Sequence, residues 1–478
     1  MGKMAKAGIV LYLLINLAAT FYFHFHNPLD GDVVLNALPA DIVKPAANDP
    51  FGIGILLHGH RYVGAGGYLA HITVHKYFRI LPAFFRHFVS PIDSVYATVG
   101  LFAMVLKAAF LYLFCIYITG RKRLFDRKIL LAALLITPLF QVGGYSFGMG
   151  IVDPMIIVDF NYSFINFCVM LFFLPFFMSG FYGKEHMSVS TMVGLAILGI
   201  YIGINGPLAG PLLCIVYCFV LFALWLQHFR QAAAGTSLLR RFWGATTQIP
   251  IYYWVLGIII LLASAYCRFL TLHNAEGLIK QISIQERYSK MWTGLGIQFS
   301  IKGYWLLSAM VVLNVVLLLR RKGDERARQL LSFFAWVMLF NILYTVMLPL
   351  GGYRFYRPYI IRRDVFSPVT TSLALFYGMS AFYLLRAIPR QHILLYRAYV
   401  AIPLIHFASV SFNAMPDNSC EKNALRKIAA SKERVVALDE QCPIMAWEKI
   451  TDTTASKDLT AMLRIWQITK EDKVFYQK

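Results

Sequence analysis

The sequence predicts an all-α polytopic membrane protein of about 11 transmembrane helices, and three observations support this prediction. The chain has 478 residues, of which 58% are hydrophobic and only 14% charged, with a mean hydropathy of +0.60. Apolar runs of roughly 20 residues, long enough to cross a bilayer as a helix, recur along it. Basic residues gather in short segments between these runs, which is typical of cytoplasmic loops.

The first predicted span is a retained helix. Lys3 and Lys6 precede its apolar run, as in a signal peptide, but no small-residue cleavage site follows. Further along, the segment 205–211 is rich in Gly and Pro and interrupts one long apolar stretch, as a tight outer turn or a broken helix would. The predicted spans are 7–24, 95–119, 129–143, 160–181, 189–205, 208–227, 247–270, 302–320, 330–350, 367–386 and 393–412.

The net charge of +21 reflects 45 Lys and Arg against 24 Asp and Glu. Nucleic-acid binding is a poor explanation, because the charges sit in short loops where anionic headgroups and topology account for them. With eleven spans, all of these loops lie on one face. This pattern predicts a multi-pass protein of the bacterial inner membrane, with a cytoplasmic N-terminus and a periplasmic C-terminus. The basic loop residues are Lys3, Lys6, Arg121, Lys122, Arg123, Arg127, Lys128, Lys184, Arg230, Arg240, Arg241, Arg320, Arg321, Lys322, Arg326, Arg328, Arg386 and Arg390.

The chain divides into a transmembrane domain, 1–412, and a small external tail, 413–478, predicted to be α/β or helical. If the tail lies outside the cytoplasm, Cys420 and Cys442 can form a disulfide. The other cysteines fall in apolar spans, where we interpret them as packing residues.

The first external loop, 25–94, is predicted to carry interfacial helices. His71, His75 and Arg79 are spaced four apart on one helical stripe. We expect Pro82 to end this helix and a second amphipathic piece to follow over 83–89.

Asp30 and Asp32 follow the first span, at the membrane surface. Carboxylates are costly beside a low-dielectric medium, so such a pair often takes a proton or binds a cation. Here they can deprotonate an acceptor hydroxyl or hold a divalent cation. Asp-Gly is also good turn chemistry, so a hydrated turn remains the alternative.

A second external loop, 351–366, is rich in arginine, unlike the other short external loops. The planar guanidinium fork binds phosphate in a two-point fashion, and interleaved tyrosines such as Tyr356 suit headgroup depth or sugar stacking. Anchoring to lipid phosphates is the alternative to a site for an anionic, lipid-linked substrate. The arginines are Arg354, Arg357, Arg362 and Arg363.

His58, His60 and Arg61 precede Gly64, Gly66 and Gly67 in the first external loop. We consider substrate contact by these side chains, and metal ligation together with the acid pair as a weaker alternative. The glycine spacing lacks the strand–turn–helix context of a nucleotide-binding motif.

Deep ionisable residues are few, which counts against a proton-coupled transporter. Lys107 lies mid-span, and Asp153 and Asp159 lie near the start of the fourth span.

The early acid, the long first external loop and the eleven spans together resemble the GT-C glycosyltransferase superfamily, which includes protein mannosyltransferases and aminoarabinose transferases. The likeness is architectural and covers most of the chain, although several members carry Asp-Glu where this chain has Asp-Gly-Asp. It implies a polyprenyl-phosphate or polyprenyl-pyrophosphate sugar donor. It also implies a first-loop acid acting as base or metal partner, and a basic outer loop that engages the donor phosphate. These roles would fall on Asp30 or Asp32, and on Arg354, Arg357, Arg362 and Arg363.

We therefore expect a membrane glycosyltransferase that acts at the outer face on a glycan, lipid or protein acceptor. A divalent cation, Mg²⁺ or Mn²⁺, is an open alternative at the acid pair. An O-antigen polymerase or ligase also relies on external arginines, but would not need the aspartates. A glycolipid transporter or flippase would move its substrate without forming a glycosidic bond, and a non-catalytic assembly subunit is a further alternative.

Overall fold

The computed structural model describes residues 2–38, 43–141, 149–184, 187–206, 208–231, 237–275, 282–354, 357–413 and 415–478. The first half of the chain folds in order into α1 (Lys3–His26), α2 (Asp32–Ala37), α3 (Lys44–Asn48), α4 (Ile53–His58), α5 (Tyr68–Phe85), α6 (Pro91–Thr119), α7 (Arg127–Ile136), α8 (Ile156–Val158), α9 (Phe164–Tyr182) and α10 (Val189–Gly203). A 3-10 turn, Thr137–Leu139, extends α7, and a π turn, Asp159–Ser163, joins α8 to α9.

The second half is also helical until the tail, which contains a two-stranded parallel sheet. A 3-10 turn, Leu348–Gly351, directly follows the helix Glu325–Met347. The elements are α11 (Ala209–Gln231), α12 (Leu238–Gln248), α13 (Ile251–Leu272), α14 (Ile284–Ser300), α15 (Lys302–Leu319), α16 (Glu325–Met347), α17 (Arg363–Ala387), α18 (Arg390–Asn413), α19 (Ser419–Ala430), β1 (Val435–Leu438), α20 (Thr453–Ile465) and β2 (Val474–Gln477).

The chain is an all-α multi-pass membrane protein, as the sequence predicts. Within the described residues, eight helical segments are long and apolar enough to cross a bilayer, or nine if the bent pair α14–α15 forms one span. Three predicted spans are not matched by a long, straight helix. For 129–143, α7 has only 10 residues. A 3-10 turn, Thr137–Leu139, follows it and contains Pro138, which lacks a backbone donor. For 189–205, α10 has 15 residues, and for 302–320, α15 meets α14 at 82°.

Helix ends meet on two opposite faces of the bundle. Thr119, Lys128, Tyr182, Arg326 and Arg386 come from the ends of five helices and line one cavity of about 390 Å³. We call this the basic-face cavity, because the loops beside it are the lysine- and arginine-rich ones. The opposite ends of α9, α16 and α17 meet at another cavity, of about 240 Å³, which we call the polar cavity.

The interfacial helix α5 continues through Pro82 to Phe85, so the predicted break is wrong. Proline cannot donate to the carbonyl one turn earlier, which belongs to Phe78. That carbonyl instead accepts a hydrogen bond of 3.0 Å from Nε1 of Trp466, a fully buried residue of the tail. The helix tolerates the proline because a side chain distant in sequence replaces the missing donor.

The tail is a small α/β unit in which Cys420 and Cys442 form a disulfide. Its apolar residues join those of the first external loop and the start of α6 in one buried cluster, which includes Val34, Phe78 and Trp466. Glu421 strengthens the contact, since its carboxylate accepts hydrogen bonds from the Leu29 amide (3.0 Å) and the Tyr96 hydroxyl (2.7 Å). The tail is therefore docked on the first external loop, on the face opposite the basic loops.

Candidate functional site: a polar cavity above an apolar one

The polar cavity is built where the arginine-rich loop meets the starts of α9 and α17. Arg354 and Arg357 both line it. The Arg357 guanidinium donates to the Tyr162 hydroxyl and lies 3.6 Å from Oδ2 of Asp364. Its central carbon is also 5.4 Å from the centroid of the Tyr162 ring. The phenol and the carboxylate thus orient a guanidinium at the cavity wall, where it can meet an anion.

A glycine-rich segment forms the opposite wall. The backbone amide of Gly64 donates to Oδ1 of Asn274 (3.0 Å), which ties this segment to the chain just after α13. Gly66 has φ +74°, and a Cβ there would lie 2.5 Å from Oγ1 of Thr271. Only glycine combines this backbone conformation with so close an approach. The segment therefore lies directly against the end of α13.

Amide side chains add hydrogen-bonding capacity to the cavity. Asn161, Asn166, Asn205 and Asn274 all line it. Oδ1 of Asn161 is buried and has no hydrogen-bond partner within the described residues. Buried polar atoms normally find a partner, so an unpaired one on a residue that lines a cavity marks a candidate position for a ligand or water.

His71 of α5 also lines the polar cavity, and its Nδ1 is a second buried atom without a partner in the part of the chain that the structure describes. Burial lowers the pKa of this histidine to about 4, since the charged imidazolium is poorly solvated there. At neutral pH the ring is uncharged, and one ring nitrogen is available to accept a proton.

Among the described residues that line the polar cavity, the net charge is positive. Arg354 and Arg357 face it, while the Asp364 carboxylate is also held by Arg362 through two hydrogen bonds of 2.9 and 2.6 Å. With His71 neutral, the two lining arginines outweigh the one lining carboxylate. The cavity is thus suited to an anion of small size, such as a phosphate group.

An apolar cavity of about 530 Å³ adjoins the polar one, and Asn166, Leu212 and Pro368 line both. It follows α9 from Asn166 to Phe181, which at the helical rise is a length of about 22 Å. Most of its wall is aromatic or aliphatic, including Phe173, Phe219 and Trp336. An amphiphile with an anionic head and a long hydrocarbon tail matches this pair of cavities.

The four predicted arginines separate into two groups. Arg354 and Arg357 line the polar cavity, whereas Arg362 and Arg363 are not among its described lining residues. Arg363 forms two hydrogen bonds with the buried Asp153 carboxylate, and Arg362 forms two with Asp364. Tyr356 lies outside the described residues. Of the four, Arg354 and Arg357 are therefore the ones placed to contact a ligand in this cavity.

Asp30 and Asp32 are not brought together with the arginines of the polar cavity. Neither is among the described residues that line it. Oδ1 of Asp30 accepts from the Asp32 amide (3.0 Å), and Asp30 is only 8% exposed. Burial and the neighbouring Asp32 carboxylate raise the pKa of Asp30 to about 7. Nε1 of Trp447 in the tail donates to Oδ1 of Asp32 (3.3 Å), so this turn is part of the contact with the tail.

His58, His60 and Arg61 are exposed and are not among the described residues lining the polar cavity. Nδ1 of His60 is 3.1 Å from the hydroxyl of Tyr62, which in turn donates to Asp49 (3.3 Å). In the described part of the chain, no three His, Cys, Asp or Glu side chains come together as metal ligands. The acid pair and these histidines are part of no such group within the described residues, and the divalent cation considered above stays a prediction.

Several cavity residues escaped the sequence analysis. The sequence marked His71 only as part of a helical stripe, and the asparagines near helix ends belonged to no recognised pattern. Asn205 preceding Gly206 was the one available signal, since it interrupts an apolar stretch at the membrane surface. Comparison of the sequence with protein-family models and with curated proteins finds no match.

Proposed function

We propose that this chain is a membrane glycosyltransferase that transfers a sugar from a polyprenyl-phosphate or polyprenyl-pyrophosphate donor to an acceptor at the outer face of the membrane. The observation that carries the proposal is that the two cavities adjoin. An arginine-lined polar cavity shares Asn166, Leu212 and Pro368 with an apolar cavity that runs along α9.

The donor phosphate binds in the polar cavity. Arg354 and Arg357 supply charge-assisted hydrogen bonds, which are stronger than neutral ones because one partner is ionised. Tyr162 and Asp364 hold Arg357 in place before the donor arrives, so its side chain loses little conformational freedom when the donor binds. The isoprenoid tail occupies the apolar cavity, where its burial away from water and headgroups adds apolar binding energy.

The transfer is a displacement at the anomeric carbon of the sugar. The acceptor hydroxyl oxygen forms the new C–O bond, while the bond from this carbon to the phosphate oxygen breaks and its electron pair leaves with the phosphate. Arg354 and Arg357 stabilise the charge that develops on the leaving group. The hydroxyl proton passes to a ring nitrogen of His71, which lines the same cavity. This assignment replaces Asp30 and Asp32 as proton acceptors and leaves them in the contact with the tail.

The proposal places the polar cavity on the periplasmic side of a bacterial inner membrane. The basic loops then face the cytoplasm together with the N-terminus, as the charge rule requires. Eleven crossings result when α7 with its 3-10 turn, α10 and the bent pair α14–α15 each count as one. The docked tail, with its disulfide, is then periplasmic, in a compartment that maintains disulfides.

The test is a transfer assay with purified protein and a panel of radiolabelled polyprenyl-phosphate sugars. The expected result is release of the polyprenyl phosphate only when an acceptor is added. Loss of one charged hydrogen bond, about 1.5–3 kcal/mol, should make Arg354→Ala roughly 10- to 100-fold less active. Arg61→Ala removes the same charge from an exposed site in the first external loop and is the matched control. Equal losses in both variants, or turnover of no donor, would contradict the proposal.

A second candidate, translocation of a glycolipid, is favoured by one observation. The apolar cavity extends to Gln227, Gln329 and Phe333, near the basic face, so it follows most of the membrane thickness. A transporter would move a fluorescent glycolipid between leaflets of a vesicle without forming a new glycosidic bond. Product analysis of the same vesicles separates the two functions.

A further inference from the structure

The basic-face cavity has features of a binding site separate from the polar cavity. Its cations are Lys128 at the start of α7, Arg326 at the start of α16 and Arg386 at the end of α17. These residues come from three different helices. No carboxylate is among the described residues that line the cavity. Three positive charges are therefore held around about 390 Å³ of space, and the described part of its wall contributes no acidic residue.

Aromatic rings orient the two arginines. The guanidinium carbon of Arg386 is 3.6 Å from the centroid of the Phe382 ring, and that of Arg326 is 4.1 Å from the centroid of Phe181. Arg326 also donates to Oε1 of Gln329 (3.0 Å). Stacking occupies the face of a guanidinium and leaves N–H groups at its edge available for an anion.

The two aspartates that cap the helices carrying Lys128 and Arg326 have other partners. Asp126 pairs with Arg121 (2.7 Å) and caps α7 by accepting from the Lys128 amide (2.7 Å). Asp324 accepts from the Tyr383 hydroxyl (2.6 Å) and caps α16 by accepting from the Arg326 amide (2.8 Å). Both carboxylates fix the helix ends that present the cations and are not among the described lining residues.

We propose that the basic-face cavity binds a phosphate-bearing anion. Planar guanidinium edges and a lysine ammonium are the groups that proteins use for phosphate. The cavity lies at helix ends on the face with the basic loops, where anionic lipid headgroups concentrate. A lipid headgroup and a soluble phosphate share this chemistry and are distinguished by the experiment. The inference holds whether or not the chain transfers sugars.

The experiment compares purified protein in zwitterionic detergent with added phosphatidylglycerol, phosphatidylcholine or inorganic phosphate. Native mass spectrometry counts retained lipid, and a thermal-unfolding assay reports the shift in Tm. The double variant Lys128→Ala with Arg386→Ala removes two cavity charges. Arg123→Ala with Arg320→Ala removes two charges from exposed positions on the same face and is the matched control.

We expect the double variant to bind phosphatidylglycerol at least about tenfold more weakly, and the control to behave as the parent protein. If inorganic phosphate alone gives the cavity-dependent shift, the site takes a soluble anion. Equal loss in both double variants, or no preference for phosphatidylglycerol or phosphate over phosphatidylcholine, would overturn the proposal. Because Arg386 stacks on Phe382, the exposed Lys128→Gln variant provides the same comparison if the double variant does not fold.

Discussion

Arg363 and Asp153 form a buried two-point ion pair, with Nε to Oδ2 at 2.6 Å and Nη2 to Oδ1 at 2.7 Å. The pair joins the segment before α8 to the first residue of α17. The same aspartate accepts from the Met155 amide, and its own amide donates to Oδ1 of Asp159. The start of α17, which carries Asp364 to the polar cavity, is therefore fixed by a carboxylate 210 residues away.

Removing one member of this pair leaves a buried charge unpaired. We expect Asp153→Ala to destabilise the protein by about 3–5 kcal/mol, because the Arg363 guanidinium cannot be resolvated. Adding Arg363→Met should restore part of the lost stability. Thermal unfolding in detergent measures both effects. Asp458→Ala, at an exposed position in the tail, is the control. If Asp153→Ala and Asp458→Ala lower the stability by similar, small amounts, this account of the ion pair is contradicted.

The proposed proton acceptor gives a second prediction. His71→Gln keeps a polar side chain but removes the basic ring nitrogen, so we expect kcat to fall about 10²- to 10⁴-fold with donor binding retained. His75→Gln is the matched control, because His75 lies one turn further along α5 and contacts the Ala37 carbonyl (2.6 Å). Initial rates and donor binding are measured separately. Full activity of His71→Gln would exclude the residue as the base.

Part of this architecture could be predicted from sequence. Apolar length and loop charge predicted the membrane class and which loops share a face, because both depend on local composition. The partners of Arg362 and Arg363 could not be predicted in the same way. Asp364 is adjacent and Asp153 is far along the chain, and nothing local to the arginines distinguishes them from Arg354 and Arg357.

The acid pair shows a related difficulty. Asp30 and Asp32 carry the residue types of a catalytic site, but Trp447, 415 residues later, contacts Asp32. Likewise Pro82 predicted a helix end, and Trp466 provides the donor that lets α5 continue. In both cases the local structure depends on a contact with a tail side chain that is far away in sequence, so the local sequence pattern could not predict it.

The raised pKa of Asp30 predicts a pH-dependent stability. Folding raises this pKa from 3.8 to about 7, chiefly through burial, so the stability from this group is present below 3.8 and lost as the pH rises through 7. Asp30→Asn keeps the acceptor oxygen but has no charge to bury. Its advantage in free energy of unfolding over the parent protein should therefore grow from pH 5 to pH 7, by roughly 1.4 kcal/mol per pH unit, and level off above pH 7. Asp458→Asn, an exposed control, should show no such growth.

Trp466 and Pro82 should be energetically coupled. Trp466→Phe removes the donor to the Phe78 carbonyl and should cost about 1–3 kcal/mol, because a buried acceptor is left unpaired. In a Pro82→Ala background, the new Ala amide can donate to that carbonyl, so the same change should cost less. A double-mutant cycle on Tm measures the difference. Trp447→Phe, at a tryptophan 54% exposed, is the control. If Trp466→Phe lowers the Tm equally in both backgrounds, the Phe78 carbonyl does not couple Trp466 to Pro82.

The central claim is that one lipid-linked sugar occupies the polar and apolar cavities together. A polyprenyl-phosphate sugar with a photoreactive group in its isoprenoid tail tests this directly, with cross-linked peptides mapped by mass spectrometry. We predict cross-links to the wall of the apolar cavity, at residues such as Phe173 or Trp336, that are lost in Arg354→Ala and kept in Arg61→Ala. Cross-links confined to the lipid-facing surface, or unchanged by Arg354→Ala, would contradict the account.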